Sequence, residues 1–160
     1  MASTTFSGPV TSTAGFISGS GSLVSVTANV TLTSASHAGR TMVFDIASGA
    51  TVTLPAASGT GNVYKFFVKT TVTSNSYKIQ VANANDTMAG VAIVANDSDA
   101  SASIFETAAT SDTITLNGTT TGGILGGMVE IQDVASNVFS VVARGAATGS
   151  EATPFSAAVS

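Results

Sequence analysis

The chain has 160 residues and a mass of 15.7 kDa, room for one compact core with a short extra segment. Charged residues are only 9% of it, against roughly a quarter in ordinary soluble domains, and the net charge is −4 with five dispersed Lys and Arg. A nucleic-acid binder would need a basic stripe against phosphates, and a membrane helix an apolar run of roughly 18 residues; neither is present.

Ser and Thr fill 46 positions and Gly 16, so a small, neutral, β-compatible surface replaces the usual charged one. Such a surface packs against a copy of itself while stranding few ions. Cys is absent, which removes disulfides and thiolate metal sites and leaves packing or assembly as the source of stability.

In chain order, residues 1–22 read as an extended arm, too rich in Gly and Ser to fold alone but carrying Phe6, Val10, Phe16 and Ile17. "MASTTFSGP" has neither the positive start nor the apolar centre of a secretory signal, so synthesis in the cytoplasm is expected. Residues 23–148 read as a β body. "LVSVTANVTL" alternates strictly, with Val24, Val26, Ala28, Val30 and Leu32 on one face of a half-buried strand. Next come "TMVFDI", with Met42, Phe44 and Ile46 inward, and "ATVTLP", with Val52 and Leu54 inward. "NVYKFFVKT" puts Tyr64, Phe66 and Val68 inward, and Val63, Lys65, Phe67 and Lys69 outward.

Phe67 on a lysine face needs cover, from a loop of the same chain or from another subunit. Lys65, Phe67 and Lys69 are therefore a candidate oligomer interface. "YKIQV" follows with Ile79 and Val81 inward; "MAGVAIVA" is apolar on both faces, as in a strand covered on two sides. After the polar loop "NDSDASAS" come "IFETA", "SDTITLNG" and the glycine loop "TTTGGILGG". "MVEIQDV" and "VFSVVAR" form a hairpin around "ASN". Residues 149–160, "GSEATPFSAAVS", read as a short tail.

About nine strands, no sustained helical periodicity and no internal repeat predict an all-β fold, a jelly-roll-like sandwich with an extended N-terminal arm. Only "DSDASASIFETAAT" has room for a helical turn. An immunoglobulin-type Greek key would lack its Cys and Trp landmarks.

Chemistry is sparse. A Ser-His-Asp triad would have to be built around His37, the only histidine, in the turn-like "SASHAGR". Asp97 and Asp99 offer oxygen ligands two residues apart but lack the further acids and central Gly of a calcium loop. The glycines of "TTTGGILGG" have no Lys and do not match a phosphate loop. Glu106, Glu130 and Asp133 would form a hydrolytic pair only if two met in a cleft. Four N-x-[ST] sites, at Asn29, Asn85, Asn96 and Asn117, are what a Ser/Thr-rich chain produces by chance. No enzyme activity, cofactor or metal is expected.

"TFSGPVTSTAGFISG", "TVTLPAASGTGNVYKFFVKTTVTSNSYKIQVAN", "SDTITLNGTTTGG" and "GSEATPFSAAVS" together resemble small virion proteins of tailed bacteriophages, particularly capsid decoration or cement proteins. The resemblance covers nearly the whole chain. It implies a homotrimeric β-rich knob on the capsid surface, bound to the outer shell of the major capsid protein and stabilising the head. Phe6, Gly8, Pro9, Val10, Gly15, Phe16 and Ile17 of the arm would then touch the shell. The competing expectation is a tail-fibre or tail-spike module that binds glycans, for which the chain has no Trp and only Tyr64 and Tyr77 as aromatic platforms besides its Phe.

Overall fold

A computed structural model describes residues 23–159. It is an all-β sandwich of two packed sheets. Sheet A has seven strands in the order β1-β3-β5-β10-β11-β7-β8, and sheet B five in the order β12-β9-β6-β4-β2. The strands of sheet A are β1 (Leu23–Val26), β3 (Thr41–Phe44), β5 (Val63–Val68), β7 (Thr87–Ala95), β8 (Ala102–Glu106), β10 (Met128–Ala135) and β11 (Val138–Ala146). Those of sheet B are β2 (Val30–Thr31), β4 (Ala50–Thr53), β6 (Tyr77–Gln80), β9 (Thr113–Leu116) and β12 (Phe155–Ser156).

Two packed sheets are as expected, but the connectivity is not the run of antiparallel Greek keys that makes a jelly roll. From β1 to β6 the chain alternates between the sheets. β1, β3 and β5 pair in parallel in sheet A, and β2, β4 and β6 pair in parallel in sheet B. This half is therefore a coil of three turns, a structural repeat that the sequence does not display. Residues from β7 onward close the sheets mostly with antiparallel pairs: β10 with β5 and β11, β7 with β8, and β9 with β6 and β12. The predicted β10–β11 hairpin is present, with Asn137 at φ 64° in its turn.

"LVSVTANVTL" is not one strand. It breaks after Val26, and the chain crosses from sheet A to sheet B before Val30. The sequence alternates straight through the crossing, which is why the stretch looks continuous, but Ala28, expected inward, is exposed there because it belongs to neither sheet. The Asn29 carboxamide oxygen, in the crossing, accepts the Thr51 N–H at 2.8 Å. Among the described residues the single helical turn is Ser34–His37, labelled α1, whereas "ASIFE" is strand β8. Residues 149–159 are tied down rather than trailing: β12 pairs with β9, and Phe155 is buried.

The core lies between the sheets. Met42, Phe44, Val52, Leu54, Tyr64, Phe66, Val68, Ile79 and Val81 are buried as the alternation predicts. At its centre the Phe44 ring stacks on Tyr77 at 4.2 Å and on Phe66 at 5.8 Å between centroids, tying β3 and β5 of one sheet to β6 of the other. The buried Tyr77 hydroxyl finds the Ile46 and Thr70 carbonyls, each at 2.7 Å. Burial is the main reason its pKa is raised.

Candidate interaction surface

Because strand side chains alternate, each residue between two core positions of sheet A points away from the core, and strand register lines these residues up. One row crosses all seven strands: Ser25, Val43, Phe67, Met128, Arg144, Ile93 and Ile104. The next row is Leu23, Thr41, Lys65, Glu130, Val142, Val91 and Glu106. This outer face is unusually apolar for a solvated surface: Ile104 is 67% exposed, Leu23 63%, Val142 45% and Ile93 42%.

The candidate interface residues sit on or beside this face. Phe67 is half-buried and stands in register with Val43 and Met128 of its neighbouring strands. Lys65 pairs with Glu130 across β5 and β10 at 3.5 Å. Lys69, just past β5, holds the Asp45 carboxylate at 2.6 Å. That bond, followed by one from the Thr70 hydroxyl, keeps Asp45 below the usual carboxylate range.

β7 departs from expectation. Met88, Ala92 and Val94 face the core, but Ala89 and Ile93 are exposed on the other side. The described residues cover one face of this doubly apolar strand and leave Ala89 and Ile93 of the second exposed.

Phe6, Gly8, Pro9, Val10, Gly15, Phe16 and Ile17 lie outside the described residues. The other polar candidates are not brought together. His37 Nδ1 accepts the Thr33 N–H at 2.9 Å, a bond local to its own helical turn. Asp99 accepts the Ser101 N–H at 2.9 Å and also the Ser101 hydroxyl; the hydroxyl bond is the main reason its pKa is lowered. Asp97 accepts the Gly149 N–H at 3.2 Å. Both carboxylates thus fix backbone, and among the described residues no group of three or more His, Cys, Asp or Glu is placed to hold a metal ion. Glu130 lies outward beside Lys65, Glu106 is exposed on β8, and Asp133 is buried, so the three acids form no pair in a cleft. Tyr64 and Tyr77, the potential glycan platforms, are both buried.

Sequence reasoning missed a set of buried aspartates that act as loop staples. Asp133 accepts the N–H groups of Ser58 at 3.0 Å, Gly59 at 2.7 Å and Thr60 at 3.0 Å, and the Thr60 hydroxyl at 2.6 Å. Burial alone would raise its pKa, but the Thr60 hydroxyl and these three N–H groups outweigh it and hold the carboxyl below its ordinary value. Asp86 accepts the Ala57 N–H at 3.0 Å and the Asn83 amide at 2.8 Å. Asp112 accepts the N–H groups of Ala158 at 2.8 Å and Val159 at 3.2 Å, anchoring the C-terminal stretch. The sequence signal is an acid in the inward register of a strand or just before it, as in "SDTITL" and "EIQDV".

Compared with known proteins, the chain matches no family model, no curated protein sequence and no solved structure.

Proposed function

We propose that this is a non-enzymatic structural protein of a phage virion, which decorates the outer shell of the major capsid protein as a homo-oligomer and strengthens the head. The observation that carries the reading is how the side chains are used. The buried carboxylates are committed to backbone N–H groups of loops, while the outside of sheet A exposes large apolar side chains, among them Ile104, Leu23, Val142 and Ile93. Such a molecule is equipped to make contacts rather than to turn over a substrate.

Residues 1–22 join the body at Leu23, the first residue of β1, which is an edge strand of sheet A. From an edge, a segment of that length can span up to about 70 Å, well beyond the body. Phe6, Val10, Phe16 and Ile17 would each contribute about 1.5 to 3 kcal/mol if buried on a shell, before ordering costs. One such segment binds weakly, and several linked through an oligomer bind with avidity.

The test is deletion of residues 2–20, followed by co-sedimentation with shells that lack the protein. The shortened chain should keep its far-UV spectrum and its association state and lose shell binding. Unimpaired binding would overturn the role given to the segment.

A further inference from the structure

A strand apolar on both faces is normally covered on both, yet among the described residues β7 of sheet A is covered on its core face alone. The uncovered side is continuous with the two outward rows of sheet A, which carry one ion pair at mid-sheet, Lys65 with Glu130, and the single charges of Arg144 and Glu106 to one side of it. We propose that a second copy of this chain covers this face, with the two sheets A packed against each other about a twofold axis that runs along the strands between β5 and β10. The inference goes beyond shell decoration and does not depend on it. It also differs from the threefold assembly that the phage resemblance implies.

The position of the axis follows from the charges. Rotation about a line between β5 and β10 lays β5 over the partner's β10, β3 over its β11 and β1 over its β7. Lys65 then meets the partner's Glu130, and Glu130 meets the partner's Lys65, so two pairs become one alternating cluster of four charges. Phe67 meets the partner's Met128, and Leu23 meets the partner's Val91. An axis one strand further on, between β10 and β11, would set Glu130 against the partner's Val142 and Arg144 against the partner's Met128, leaving neither charge an opposite. An axis along β10 itself would place Glu130 on the partner's Glu130. Of these three, only the first pairs every charge at the centre with its opposite.

The size of the face is sufficient. Six strands at about 4.8 Å and a strand length of roughly 20 Å give about 600 Å² in projection, and side-chain relief makes the accessible area larger. That is on the scale of the roughly 800 Å² per partner of a standard stable interface.

Sedimentation equilibrium and light scattering on the full chain test this without any shell. The expected mass is twice 15.7 kDa. Lys65→Glu and Glu130→Lys each place like charges opposite each other, and each should weaken self-association by at least about tenfold with an unchanged far-UV spectrum. Mixing these two variants restores both opposite-charge contacts in a heterodimer, as does combining them in one chain, so both samples should return to the doubled mass. Wild-type protein with the mass of one chain or of three would overturn the proposal. So would unchanged association in either single variant, or failure of the mixture to re-associate. Loss of shell binding on deleting residues 2–20 is a separate readout, so either idea can fail alone.

Discussion

Residues 23–80 and residues 87–146 build the same sandwich by different means. The first region winds in parallel between the sheets, and large buried rings fix it: Phe44, Phe66 and Tyr77 stack from β3 and β5 across to β6. The second is mostly antiparallel and is fixed by close backbone approach. Gly90 of β7 lies so near the Val141 carbonyl of β11 that a Cβ there would collide with the oxygen. The difference teaches that one core tolerates two kinds of specification, volume in the coil and register in the closing strands. Asp133 joins the regions, because it stands on β10 and holds the loop that precedes β5.

Removing volume from the coil should have the largest effect. Phe44→Ala deletes the ring shared by both stacks and should cost about 3 to 5 kcal/mol in urea unfolding. Protein concentration should be held fixed in these measurements, since association shifts apparent stability. A cost near zero would show that the rings do not fix the coil. Cutting the joint comes next. Asp133→Ala leaves three N–H groups without their carboxylate and should cost about 2 to 3 kcal/mol.

Acid sharpens the same point. The Asp133 carboxyl is held below its ordinary value of 3.8, so its contribution is complete above that value and is lost as pH falls through the lower, folded-state pKa. The stability gap between wild type and Asp133→Ala should therefore narrow steadily in melts taken from neutral pH into acid below the ordinary carboxyl value. A gap that stayed constant would assign the loss to packing instead.

Gly90→Ala tests the closing strands, and the collision should cost about 1 to 3 kcal/mol. It should speed amide exchange in β7 and β11 while leaving β3 to β6 protected; uniform loosening would erase the contrast between the regions. Tyr77→Phe should do least, about 1 kcal/mol, because the ring stays and only the bond to the Ile46 and Thr70 carbonyls goes.

The alternation of apolar residues in the sequence determined which side chains are buried, from Met42 and Phe44 through Ile79 to Val129 and Val141. It also determined the all-β class and the β10–β11 hairpin, because a period of two and a short polar turn are local properties. Pairing was not legible. Period two is the same in parallel and antiparallel strands and persists through a crossing between sheets, so Val26 and Val30 look like neighbours on one strand while they serve different sheets. The tertiary structure alone decided that Asp86, Asp112 and Asp133 bind loops, since the backbone N–H groups they satisfy lie between 29 and 75 residues away. It alone also decided that the second apolar face of β7 lies in one continuous surface with Phe67. A face belongs to a sheet, and a sheet exists only when distant strands have met.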